Sequence, residues 1–184
     1  MIINAPSVPH TGHHFMMYRV FKDYAKTSVA GHRDVIFRED EDILIADHFH
    51  DAFMPSWIEC LGKYPCVISL RHPARVLASY DSRNTTIATR RLFFAEWEAM
   101  MSVADLFKEP FYFHLDAYDV RKREADYLKD RFGLTHEIDW SVSRETGSKH
   151  DNHDLALTEE LLKDVPNLFV DFYEQTLLQL QVAA

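Results

Sequence analysis

Glycine is scarce in this chain, with 5 among 184 residues against a usual level of about 7%, so each glycine marks a candidate turn. Cysteine is scarcer. Cys60 and Cys66 are the two present, which excludes a disulfide framework and offers no paired zinc ligands. A reducing, cytoplasmic setting is the default expectation. No apolar run reaches the roughly 18 residues of a spanning helix, so no membrane span is expected. The opening MIINAPSVPH lacks the basic and long apolar regions of a signal peptide. Basic charge is also in deficit. With 20 Lys and Arg against 29 Asp and Glu the formal charge is −9, which argues against coating nucleic acid or an anionic membrane through bulk charge. A small anion held by a few local donors remains compatible with it.

What the chain has is apolar and aromatic mass, 47% and 13% of residues, enough for a substantial core and incompatible with global disorder. The length favours one domain over residues 1–184. Short apolar runs at 1–5, 34–37, 42–46, 66–70 and 111–115 read as strands. Helical spacing recurs over 13–28, 52–62, 73–80, 89–107 and 121–132, and in two patterns within 157–182 split by Pro166. Pro73 suits a first helical turn, and Gly133 closes the charged helix before it. Pro110 is expected to break the long helix. The run Arg121-Lys122-Arg123 reads as a solvated helix start balanced by Glu124 and Asp126. Residues 141–154 are polar and read as a loop or lid. Strands alternating with helices predict a three-layer α/β fold with a mainly parallel central sheet.

In such sheets ligands sit beyond the carboxyl ends of the strands, and three of those ends carry polar clusters: residues 6–14, 47–50 and 71–72. In the first, His10-Thr11-Gly12-His13-His14-Phe15 joins a strand to a helix. Backbone N–H groups at a helix N-terminus favour phosphate or sulfate; Gly12 permits close approach and Thr11 adds a hydroxyl. A structural turn with exposed histidines fits this segment equally. The second cluster places His48 after the strand DILIA, where an imidazole can serve as general base or be purely structural. The third is Arg71-His72-Pro73-Ala74-Arg75-Val76-Leu77-Ala78-Ser79-Tyr80. Arg71 and Ser79 can grip a phosphate, or Arg71 can sit in an ordinary ion pair. The many histidines (His10, His13, His14, His48, His50, His150, His153) invite a zinc reading. No His-Glu-x-x-His and no Cys pair supports it, so no metal is expected. The P-loop pattern ending in Gly-Lys-[Ser/Thr] and the Gly-x-Ser-x-Gly elbow are both absent.

Taken together, residues 1–134 resemble the sulfotransferase family that uses 3′-phosphoadenylyl sulfate (PAPS), whose fold is related to the P-loop nucleotide kinases. The family's first loop commonly reads Lys-Ser-Gly-Thr-Thr-Trp, here His10 to Phe15. Its second signature, Arg-x-Pro-x-Asp-x-x-x-Ser-Tyr, keeps Arg71, Pro73, Ser79 and Tyr80, with the family's spacing of 79 − 71 = 8. Many members carry a catalytic histidine some two dozen residues before that arginine, and His48 lies 71 − 48 = 23 residues before it. The stretch 111–134 is similar to the family's strand, acidic turn and helix. Departures are clear: His10 replaces the loop lysine, His13-His14 replace Thr-Thr, and Leu115 stands where many members have tyrosine. The later Arg-Lys-Gly-x-x-Gly-Asp-Trp motif has a loose counterpart in Ser143 to His150, including Arg144, Gly147, Ser148 and Lys149.

The resemblance implies sulfuryl transfer from PAPS to a hydroxyl or amine on a small-molecule or glycan acceptor, giving 3′,5′-adenosine diphosphate. In that scheme residues 10–15 hold the 5′-phosphosulfate, Arg71 and Ser79 hold the 3′-phosphate, and Phe15 takes the place of an adenine-packing aromatic. His48 is the base. His10 when protonated, or Lys149, assists the leaving phosphate. The alternatives left open are a nucleotide-binding relative without turnover, which the lysine-to-His10 change favours, and a phosphoryl-transferring kinase relative.

Overall fold

A computed structural model describes residues 1–27, 41–49, 62–81, 87–140 and 157–182 of the chain. The first apolar run forms β1 (Ile2–Ser7), the middle of a five-stranded sheet ordered β2-β3-β1-β4-β5. Its other strands are β2 (Ala25–Thr27), β3 (Ile43–His48), β4 (Pro65–Leu70) and β5 (Lys108–His114). All pairings among them are parallel. The helices are α1 (His13–Phe15), α2 (Pro73–Asp81), α3 (Ile87–Val103), α4 (Tyr118–Phe132), α5 (Glu159–Leu162) and α6 (Asn167–Val182). The expected α/β class with a parallel sheet is therefore observed. Among the described residues no helix is long and apolar enough to cross a membrane.

Strand side chains alternate between faces, and the sheet uses both. On one face Ile43, Ile45, Cys66 and Ile68 pack with Val76 and Leu77 of α2, Phe93 and Trp97 of α3, and Phe169 and Tyr173 of α6. On the other, Ile3, Ala5, Leu44, Val67 and Phe113 meet Met16 and Val20 after α1, and Ala125, Leu128 and Phe132 of α4. A strand buried on both faces reads as a continuous apolar run, which is why β4 and the start of β1 are legible without alternation.

Several local expectations need correction. The helix expected over 13–28 is α-helical only for His13–Phe15, continues as a π-helix over Met16–Val20, and stops. Residues Ala25–Thr27 instead pair with Ile43–Ile45 as an edge strand. Met16, Val20, Phe21 and Tyr24 are all buried as expected, but a short apolar stripe does not reveal where the backbone leaves the helix. The long helix ends at Val103, followed by a 3₁₀ turn at Ala104–Leu106, so Pro110 breaks nothing and lies inside β5. Pro65 faces Lys108 while Cys66 faces Pro110, which makes Glu109, at φ 47°, the extra residue of a β-bulge. The expected strand at 34–37, the body of the expected helix at 52–62, Trp57 and Cys60 lie outside the described residues.

Glu124 is the clearest surprise. It shares the buried face of α4 with Val120 and Leu128, at the i, i+4 spacing of one helical face, and so does not balance the basic run in solvent. One carboxylate oxygen accepts the His114 backbone N–H at 2.6 Å, and the other lies 2.6 Å from His114 Nδ1. His114 Nε2 is 3.0 Å from Thr176 Oγ1 on α6. Both ionisable side chains are wholly inaccessible, so deleting one partner strands the other without water. Glu124→Ala is expected to lower stability by about 3–5 kcal/mol, read as a shift in the urea unfolding midpoint, with β5 and α6 losing amide protection together.

Candidate functional site

The strand order creates the crevice. From β1 the chain crosses toward β2 at one edge, whereas from β4 it crosses toward β5 at the other. β1 and β4 are neighbours, so the gap between their carboxyl ends is the topological switch point where ligands of open α/β sheets bind. The 8–12 loop leaves β1 there and Arg71 leaves β4 there. Because β1 also pairs with β3, with Ser7 opposite His48, the His48 cluster arrives on the other side. The three strand ends singled out in the sequence are thus adjacent.

Backbone geometry gives the first loop its shape. Val8-Pro9-His10-Thr11 is a β-turn: Thr11 N–H donates to the Val8 carbonyl at 3.3 Å. Proline at the second position and φ 68° at His10 are the features of a type II turn. A non-glycine residue held there carries strain of about 1–3 kcal/mol. The His10 ring packs edge-on against Tyr80 of α2, with centroids 4.6 Å apart, so the turn is docked on the segment that carries Ser79. Gly12 follows at φ 103° and precedes α1. The positive φ favours glycine, and a Cβ there would meet Leu115 Cδ2 at 2.7 Å, so that side chain would have to shift.

The expected binding residues are presented unequally. Thr11 is buried, and its hydroxyl donates to the Val8 carbonyl at 2.7 Å, which holds the turn closed. The hydroxyl expected to face an anion is thereby directed inward. His14 is exposed. Phe15 stacks near Phe113 and lies 5.3 Å from Trp140, whose ring carries the Arg121 guanidinium at 4.9 Å. Arg71 and Ser79 are both buried, at 3% and 8% exposure; the guanidinium sits at the strand end and the hydroxyl in α2. His50, Arg144, Gly147, Ser148, Lys149, His150 and His153 lie outside the described residues.

Ser7, Asp116 and Tyr173 were not singled out by sequence reasoning. Ser7 Oγ lies 2.8 Å from Nδ1 of His13 and 3.1 Å from Nδ1 of His48, and the two rings are 4.6 Å apart. Its place on β1, two residues beyond Ala5, was the available signal. Asp116, just past β5, accepts the His72 backbone N–H at 3.0 Å, Arg75 at 2.8 Å and the Tyr173 hydroxyl at 2.8 Å. Burial, then the Asp116 charge, raises the Tyr173 phenol well above its ordinary range, so that hydroxyl stays protonated and donating. Burial pushes the His72 imidazole down against the pull of Asp116, and Arg75 adds to the depression. Among the described residues no group of three or more His, Cys, Asp or Glu could hold a metal ion.

Comparison with family models, with curated proteins and with solved structures found no match for this chain. The functional reading therefore stands on the residues themselves.

Burial, followed by the charges His48 and His14 would carry, lowers the His13 pKa from 6.5 to about 4. Between those values the unfolded chain binds a proton at this position that the folded chain refuses. Stability present above pH 6.5 is thus lost as pH falls toward 4. Urea midpoints at about pH 7 and about pH 5 should differ more in the native chain than in His13→Gln, and direct NMR titration should place His13 well below the ordinary imidazole value, at about 4.

Proposed function

We propose that the chain is a PAPS-dependent sulfotransferase of the P-loop-kinase-like kind, with residues 1–184 as one such domain. The observation that carries the reading is the meeting of three strand ends at one crevice. The turn 10–15, Arg71 with Ser79, and His48 are the segments whose order and spacing resemble the family, and they converge there. Convergence of residues far apart in sequence is not required by the resemblance in sequence alone.

In this reading the backbone of the 10–15 turn receives the 5′-phosphosulfate, and the buried Arg71 guanidinium with the Ser79 hydroxyl receives the 3′-phosphate. A guanidinium offers a planar fork of donors suited to such a group. The acceptor oxygen or nitrogen attacks sulfur in line. As the new bond to sulfur forms, the bond from sulfur to the bridging phosphate oxygen breaks, and the electron pair leaves on 3′,5′-adenosine diphosphate. His48 takes the acceptor proton. Charge grows on the leaving phosphate, where His10 when protonated, or Lys149, would donate.

A second reading, binding without turnover, is favoured by one observation: the residue in the place of the family's loop lysine is an imidazole packed on Tyr80. Calorimetric titration and activity separate the two. 3′,5′-Adenosine diphosphate should bind more tightly than 5′-AMP, and Arg71→Ala should remove most of that preference, at about 1.5–3 kcal/mol for a charge-assisted contact. Equal affinity for both nucleotides would sink the cofactor assignment. His48→Ala should slow sulfuryl transfer by about 10²–10⁴-fold with nucleotide affinity barely changed. Tight, selective nucleotide binding with no transfer to any hydroxyl or amine acceptor would select the binding-only reading.

A further inference from the structure

We propose that Ser7 is a positioning residue that fixes the tautomers of two histidines, so that His13 is held as a neutral Nε2–H imidazole and His48 presents its Nε2 lone pair. Its catalytic meaning rests on the sulfotransferase reading above; the tautomers do not.

The assignment follows from counting protons. A serine hydroxyl has one hydrogen and can donate once, yet Ser7 Oγ lies within hydrogen-bond distance of Nδ1 on both rings, at 2.8 Å and 3.1 Å. One of those nitrogens must be the donor. His48 Nδ1 is also 3.3 Å from the Ser7 backbone carbonyl, an atom that only accepts. A lone pair facing that carbonyl would be repelled, whereas an N–H shared between the carbonyl and Oγ satisfies all three atoms. His48 is therefore protonated at Nδ1, an arrangement in which the backbone contact of one ring nitrogen decides the state of the other. The Ser7 hydrogen then goes to His13 Nδ1, the shorter contact, and His13 carries its own proton on Nε2.

Two consequences bear on the chemistry. Ser7 has no exposed surface and its hydrogen is committed to His13, so the short Ser–His distance is not a nucleophile and its base. His48, by contrast, can accept a second proton at Nε2 while Nδ1–H stays anchored to Ser7. The imidazolium formed in that step lies 4.6 Å, centroid to centroid, from His13. A charged His13 would oppose it, and a neutral one accepting from Ser7 does not. The arrangement is built by the sheet register, which sets Ser7 opposite His48, and by the Gly12 turn, which delivers His13 to the same hydroxyl.

The test is long-range ¹H–¹⁵N NMR of the histidine rings in the full, nucleotide-free chain, with Ser7→Ala and Ser7→Thr beside it. The native spectrum should show His48 protonated at Nδ1 and His13 protonated at Nε2. Ser7→Ala should release the His13 tautomer, reduce the Nδ1–H form of His48, and slow sulfuryl transfer about tenfold, the scale of one lost hydrogen bond. Ser7→Thr keeps a hydroxyl and should restore both spectrum and rate. Native His48 protonated at Nε2, native His13 protonated at Nδ1, or Ser7→Ala rings identical to native would each overturn the proposal. Tautomers as expected in a chain that transfers no sulfuryl group would uphold the role of Ser7 and overturn the reaction assigned to the site.

Discussion

One buried carboxylate, Asp116, holds the carboxyl end of the sheet together. Its oxygens accept from the backbone at His72, from the Arg75 guanidinium and from the Tyr173 hydroxyl, and so join the turn after β4, helix α2, the end of β5 and helix α6. Removing a carboxylate from water costs several kcal/mol after relaxation. Hydrogen bonds to a charged group contribute about 1.5–3 kcal/mol each, so three of them offset that cost where one would not. Arg71 leaves β4 immediately before His72, so its position is inherited from this carboxylate. Arg75 stands where the resembled signature has an acid, and here it supplies the opposite half of an ion pair whose acid comes from the neighbouring strand.

A second buried pair, His114 with Glu124, lies close by in the chain and ties the same β5 end to α4 and, through Thr176, to α6. The two networks share α6, and Thr176 donates to the Tyr173 carbonyl at 2.8 Å. The carboxyl end of the sheet is thus braced on both faces by ionic and hydroxyl contacts, whereas its middle is held by apolar packing. Rigid placement of the strand ends is what a crevice for a charged ligand needs, because donors must be oriented before the ligand arrives.

Legibility in the sequence followed the physics of each element. β4 and β5, with apolar runs buried on two faces, stood out, as did α4 with its Gly133 cap. β2 did not: Ala25-Lys26-Thr27 has no strand pattern of its own and is a strand because β3 offers it a ladder. The three polar strand ends were visible because they interrupt apolar runs, and their adjacency then follows from the strand order. The roles of Ser7, Asp116 and Glu124 were not legible, for a common reason. Each is a polar residue whose importance comes from a partner between 10 and 57 positions away, and single-sequence periodicity carries no such information. Thr11 shows the converse, since a hydroxyl in a promising loop was committed to the loop's own backbone.

The Glu109 bulge has a consequence at the scale of many molecules. Among the described residues β5 ends the strand order of the sheet, and an outermost strand carries a row of backbone donors and acceptors on which another copy could extend the sheet indefinitely. Pro110 has no backbone N–H to offer a further strand, and Glu109 sits at φ 47° beside it. The first part of the strand, Lys108 and Glu109, is charged and exposed. A chain this rich in aromatic residues, with Phe111, Tyr112 and Phe113 in succession, has reason to guard that border. The irregularity that spoils the ladder between β4 and β5 also makes the strand a poor template for amyloid-like growth.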